Sequence, residues 1–366
     1  MLKINQQIDR KFNDLLLGTK TILNLFCTIV VNNILLHHFY FQLKISINFV
    51  GQEYMTAEKT HKHFPIFTTL LSVVAIVFYV TMSFLSNDTH VHYPLFEKFG
   101  APYAIQIYEG QYWGVVVNSL IHSFPLHIVT NLIGLWIFAA FLERRIGWFK
   151  LFLFGLFSSI FTSLNQLGLT NDAGLGLSGV NYALFGLIFV LAMKNPFYRM
   201  KFHLVISLFM VLFLGFSIYM NLVYDWYVGI EAQLSGLFWG ALIGTTSKIK
   251  NSIIRTSSMI IPFSLSMITL FYCPWSSMWQ CYKGIELHQE GKIEAALIHY
   301  NEALSIEPKN KIALMNINLI KIDDLAQLAY EAHKSGRFVE AHRYYLQILA
   351  LDKHNAWARN NMRELP

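Results

Sequence analysis

Gly176-Leu177-Ser178-Gly179-Val180-Asn181-Tyr182-Ala183-Leu184-Phe185-Gly186 joins a polar, glycine-rich loop (residues 168–177) to an apolar run. A serine between glycines at a loop-to-helix junction has little around it to bury its hydroxyl. The first N–H groups of a helix have no intrahelical partner, so at such a junction they can stabilise an oxyanion. Taken alone, G-x-S-G is a weak signal, because glycine and serine are common wherever membrane helices pack. Its weight comes from the rest of the chain.

That chain has 366 residues, 54% hydrophobic and 14% charged. The composition is that of a membrane protein with room for several spans and one extra domain. The net charge is +6 with no basic stripe, so no nucleic-acid partner is expected. Cys27, Cys273 and Cys281 form neither a disulfide framework nor a metal pattern, and no metal or cofactor is expected. Cys273 and Cys281 are close enough in sequence to pair in an oxidising compartment; otherwise they are ordinary thiols.

Seven apolar runs of about bilayer length follow one another at residues 65–85, 126–142, 151–167, 178–193, 204–222, 230–246 and 256–273. Eleven basic residues lie on one side: Lys59, Lys62, Arg144, Arg145, Lys150, Lys194, Arg199, Lys201, Lys248, Lys250 and Arg255. The opposite loops, 86–112, 168–177 and 223–229, carry Lys98 alone. The positive-inside rule makes the first side cytoplasmic. Ser178 then lies near the outer face, and the tail after Cys273 is extracytoplasmic. The leading segment, 1–54, holds an apolar run interrupted by Asn24, Asn32, Asn33, His37 and His38, which are costly in hydrocarbon. Either translation begins at Met55, or the segment is a further span or lies at the membrane surface.

The tail, 274–366, is soluble in character. Gly284, Gly291, Ala296, Tyr300, Ala303 and Pro308 fall where a tetratricopeptide repeat (TPR) places its small, aromatic and helix-stopping residues. Ala329, Gly336, Ala341 and Tyr345 repeat the pattern at an offset of 45 instead of 34. The eleven extra residues amount to about three helical turns, so one lengthened helix keeps its apolar face in phase. The fold class is therefore an all-α membrane helix bundle over residues 55–273, six core spans plus a seventh, followed by a TPR-like helical-repeat domain.

Polar residues inside the spans mark the chemistry. His122, His127 and Asn131 cluster at the outer end of the second span, and the last two share one helix face. In the sixth span Ala232, Gly236, Gly240 and Gly244 recur every fourth residue, a ridge that lets another helix approach closely. Gln233 lies beside it. The fourth span offers Gly179, Ala183 and Gly186 in return, so spans four and six should pack and bring Gln233 towards Ser178. No intramembrane charge marks an ion path, which argues against a transporter.

Together, G-x-S-G at span four, H-x-x-x-x-H-x-x-x-N at span two and A-x-x-x-G-x-x-x-G in span six resemble the rhomboid intramembrane serine proteases. Gly110-Gln111-Tyr112-Trp113 and Glu143-Arg144-Arg145-Ile146-Gly147 extend the likeness over residues 64–250. A seventh span followed by helical repeats is similar to a bacterial subgroup of that family. The resemblance implies Ser178 as nucleophile and its N–H with His127 and Asn131 as oxyanion partners. It implies Tyr182 as a ring stacked on the catalytic histidine, with Gly176, Gly179 and His122 in support. The implied substrate is a transmembrane helix in the lipid bilayer; a protein partner would bind the TPR-like tail.

Two positions depart from the family pattern. Its Trp-Arg pair is Trp113-Gly114 here, and its general-base histidine falls on Gln233. No histidine occurs between His203 and His288. Serine is a weak nucleophile without an adjacent base; losing that base costs roughly 10⁶-fold in one soluble serine protease. Two readings follow: a pseudoprotease that binds membrane helices in quality control, or an active endopeptidase with a substitute base.

Overall fold

The computed structural model of the chain describes residues 64–86, 88, 93–170, 172–194, 202–224, 228–247 and 249–365. The expectations for residues 1–54 and for a start at Met55 lie outside the described residues. All regular structure among the described residues is helical.

The seven apolar runs fold as seven long helices: α1 (Ile66–Ser86), α5 (Pro125–Ile146), α6 (Trp148–Thr170), α7 (Ser178–Lys194), α8 (Phe202–Tyr224), α9 (Ile230–Thr246) and α10 (Ser252–Ile268). Between α1 and α5 the chain forms three short helices, α2 (Tyr93–Lys98), α3 (Ala104–Tyr108) and α4 (Gly114–Val117), and a 3₁₀ turn (Asn118–Leu120). By length and composition α1, α5, α6 and residues 206–223 of α8 can each cross a membrane. The others are 17 residues long, about 26 Å at 1.5 Å per residue.

Burial explains the modest length and apolarity of α7 and α9. Residues 179–187 of α7 are all buried, so this helix is the centre of the bundle. The α9 ridge lies directly on it. A Cβ on Gly236 would run into the carbonyl of Gly179, and one on Gly240 into the carbonyl of Ala183. Gly186 meets the carbonyl of Leu237 in the same way, and a Cβ on Gly244 would come 3.0 Å from that of Val190. Backbone thus lies against backbone over a little more than two turns, which any larger residue would prevent. Large apolar side chains complete the core around this seam, among them Leu135, Phe138, Leu151, Phe161 and Trp239.

The seventh run ends earlier than its composition predicts, at Ile268 rather than at residue 273. The chain here is held to the end of α6: Thr269 Oγ1 donates to the Leu164 carbonyl at 3.3 Å and the Trp275 indole to the Gly168 carbonyl at 2.7 Å. Cys273 and Cys281 are both free. Burial pushes the Cys281 thiol up to about 12, so it is inert at neutral pH.

The tail forms α11 (Ser277–Gln289), α12 (Ile293–Ile306), α13 (Lys311–Lys334), α14 (Phe338–Leu351) and α15 (Ala356–Arg363). The 45-residue offset recurs in three dimensions. Ala296, Tyr300 and Ala303 are fully buried, as are Ala341, Tyr345 and Ile348. His288 meets the Tyr300 ring edge-on at 6.5 Å and 77°, and His333 meets Tyr345 at 6.2 Å and 77°. Gly291 and Gly336 turn the chain at φ +75° and +72°. Asn310 and Asn355 cap the following helices by accepting backbone N–H groups. α13 has 24 residues where α11 has 13.

Candidate functional site

The site is built where three chain segments meet at one end of the bundle. α5 opens at Pro125, a residue suited to the first helical position because its missing N–H is not needed there. This start puts His127 and Asn131 on successive turns of one face. The loop before α7 comes against that face at Gly176. Its φ of +83° is left-handed, and a Cβ there would strike the His127 ring and lie 3.2 Å from Asn131 Nδ2. Glycine is needed at 176 for both reasons.

Ser178 is the first residue of α7, and the bond from Asn181 N–H to the Leu177 carbonyl, 2.9 Å, closes the first turn. The N–H groups of residues 178–180 precede that bond and have no intrahelical acceptor. Ser178, Asn131, Asn181, Tyr182 and Met210 line a cavity of about 30 Å³. An acyl group seated against Ser178 would find backbone donors and the Asn131 amide beside it. Asn131 Nδ2 donates one proton to the His127 carbonyl at 3.0 Å. The amide nitrogen carries a second proton, which that bond does not use.

The other expected residues are placed as follows. His122 is buried, its ring 4.8 Å from that of His127, with Nδ1 3.1 Å from the Leu120 carbonyl. His122 Nε2 has no hydrogen-bond partner among the described residues. Tyr182 is buried and gives its hydroxyl proton to the Met210 carbonyl at 2.8 Å, pinning α7 to α8. Gly179 turns its Cα towards α6, where a Cβ would meet Thr162 Oγ1 at 2.7 Å. Gln233 is 1% exposed, one turn before the Gly236 contact with Gly179. Its Nε2 donates to Ser217 Oγ at 3.4 Å, and its Oε1 has no partner among the described residues. A primary amide at this place donates and accepts hydrogen bonds but cannot take up a proton at neutral pH.

Gly114 also acquires a physical reason. A Cβ there would run into the Pro102 ring and lie 3.0 Å from Ile107 Cγ1, so the loop as folded has no room for an arginine.

Three polar residues were not singled out by sequence. Asn181 Nδ2 donates to Asn131 at both its carbonyl (2.9 Å) and Oδ1 (3.1 Å), and Gly134 makes room for it. Ser217 is the partner of Gln233. The carbonyl of Asn118 accepts the Gly176 N–H at 3.0 Å. For Asn181 a signal was available, since a lone amide in an apolar span needs a partner. The other two contacts follow from no local pattern.

Comparison with known proteins adds two findings. A family model described as the Rhomboid domain matches residues 109–249, which contain every site residue named above. The chain is 30% identical over 153 residues to Rhomboid protease GlpG of Haemophilus influenzae, covering 41% of this chain and 78% of that protein. It is 31% identical over 123 residues to the protein of that name from Serratia proteamaculans, covering 34% of this chain and 42% of that one. Against the Yersinia pseudotuberculosis protein the identity is 28% over 178 residues, 48% of this chain and 60% of that one.

Proposed function

The chain belongs to the rhomboid family, and from that premise we propose that it binds transmembrane helices as a pseudoprotease, with proteolysis lost or very slow. One observation carries this reading: the buried side chain beside the α7–α9 seam is the Gln233 amide, hydrogen-bonded to Ser217. The family's general base would stand at this residue, and an amide cannot deprotonate Ser178. The remaining parts, Ser178, His127, Asn131 and the N–H groups of the first turn of α7, suit the binding of an unwound helix end near the membrane surface. The clients are transmembrane helices within the lipid bilayer, and the role is quality control of membrane proteins.

The protein sits in the cytoplasmic membrane as a multi-pass bundle over residues 55–273. Residues 274–366 form a TPR-like domain that takes a protein partner on the extracytoplasmic side. The 45-residue repetition of buried alanines and tyrosines supports the first point, and the basic residues collected on the opposite loops support the second.

A second reading, a working endopeptidase, is favoured by one contact: the His127 ring lies against Gly176, two residues before Ser178, where an imidazole can serve as a substitute base. The test is a reconstituted cleavage assay on a model transmembrane helix, with a serine-directed phosphonate and photocrosslinking of the helix in parallel. The pseudoprotease reading expects crosslinking without rapid cleavage. Rapid cleavage that Ser178→Ala abolishes would overturn it in favour of the second reading.

A further inference from the structure

The tail touches the loop that holds the site. Trp279, on the first tail helix α11, is buried in one apolar cluster with Ile107 and Tyr108 of α3 and Val115 of α4. One turn on, Tyr282 stacks on Tyr108 with centroids 6.1 Å apart and planes at 25°. Tyr112 and Phe271 add a further ring contact at 5.9 Å. α11 therefore packs on α3 and α4.

From α3 the contacts run directly to the nucleophile loop. Pro102 and Ile107 pack on Gly114. Pro102 also accepts, through its carbonyl, the Nδ2 proton of Asn118 at 3.2 Å. Asn118 is 1% exposed, and its own carbonyl accepts the N–H of Gly176 at 3.0 Å. Gly176 in turn lies against His127 and Asn131 and precedes Ser178 by two residues. On its other side the same turn is held to α6, where Ser159 Oγ donates to Ser119 Oγ at 2.9 Å. α6 also meets the tail, since its Leu164 and Leu167 share the buried cluster of Trp279.

We propose that Tyr282 and Asn118 are positioning residues, through which the tail sets the placement of the Gly176–Ser178 loop. The proposal deepens the reading above, because it assigns the tail a regulatory hold on that same site. It concerns where the loop lies, whether or not Ser178 reacts. Such a hold should appear as local opening, which amide exchange reads segment by segment.

The experiment is hydrogen–deuterium exchange on the full chain in detergent, following the Gly176 amide and the α9 amides together. Tyr282→Ala removes the stack from the tail, and Asn118→Ala removes the tie to Pro102. Each should speed Gly176 exchange by about tenfold while α9 stays protected. Tyr282→Phe keeps the ring and should restore the wild-type rate. Tyr330→Ala, at an exposed position on α13, is the control and should change nothing. Unchanged Gly176 exchange in Tyr282→Ala would overturn the proposal. So would an equal effect from Tyr330→Ala, no rescue by Tyr282→Phe, or loss of α9 protection, which would make the effect global. None of these outcomes depends on cleavage, so the pseudoprotease reading and this one fail separately.

Discussion

Glu143 at the end of α5 caps the start of α1 through Thr68: one carboxylate oxygen accepts both the Thr68 N–H at 2.9 Å and the Thr68 hydroxyl at 2.7 Å. The other accepts the Phe67 N–H at 2.7 Å. Glu143 and Thr68 are both buried. Orphan N–H groups at a helix start need acceptors, and a negative charge there also complements the helix dipole. Glu143→Ala should therefore destabilise the bundle by about 2–3 kcal/mol, the worth of a buried charge-assisted bond left unmade. Glu143→Gln keeps one acceptor and should lose less. Thermal unfolding in detergent measures both; equal stability of all three proteins would mean the cap is of no consequence.

The seam between α7 and α9 makes a sharper contrast. Gly240 has no space for a Cβ, whereas Gly215 on α8 has nothing within 4 Å of where its Cβ would be. Gly240→Leu should cost about 1–3 kcal/mol or more through overpacking. Gly215→Ala should be neutral, or stabilising by up to about 1 kcal/mol, since alanine is the better helix former. Melting temperatures of the two variants against wild type decide it. A Gly240 variant as stable as wild type would deny that the seam is rigid.

Sidedness has a direct assay. The tail and Ser178 are at the same end of the bundle, joined through Tyr282 and Tyr108. If that end faces outward, protease added to intact cells should remove the tail and spare the α5–α6 turn at Gly147, beside Arg144 and Arg145. A protected tail with a cleaved α5–α6 turn would invert the topology.

Restoring a base is the most demanding expectation. Gln233→His should place an imidazole where Ser217 Oγ now accepts from the Gln233 amide. With an unperturbed pKa near 6.5, imidazole is largely neutral at pH 7 and able to accept a proton. Cleavage of a model helix and phosphonate labelling of Ser178 should rise together, by roughly 10²–10⁴-fold if the geometry is productive. Ser178→Ala in the same background should abolish both. Labelling that rises without any dependence on Ser178 would show that the new histidine acts elsewhere.

Much of this molecule was legible as sequence because the features concerned are local or periodic. In hydrocarbon a chain must satisfy its own backbone, and a long uninterrupted apolar run does so as a helix, as α1, α5, α6 and α8 show. The four-residue spacing of Gly236, Gly240 and Gly244 requires a close helix neighbour, since only absent side chains let backbones approach. The shared face of His127 and Asn131 follows from helical period, and the 45-residue offset set which tail positions are buried. Other features depended on distant segments meeting. Glu143 lies 75 residues from Thr68, and nothing near it in sequence names α1 as its partner. The early end of α10, the Asn118 hold on Gly176, the turning of Gln233 to Ser217 and the Tyr282 stack on Tyr108 are all of this kind. A hydrogen bond or ring contact needs ångström placement of groups far apart in the chain, and only the packed bundle supplies it.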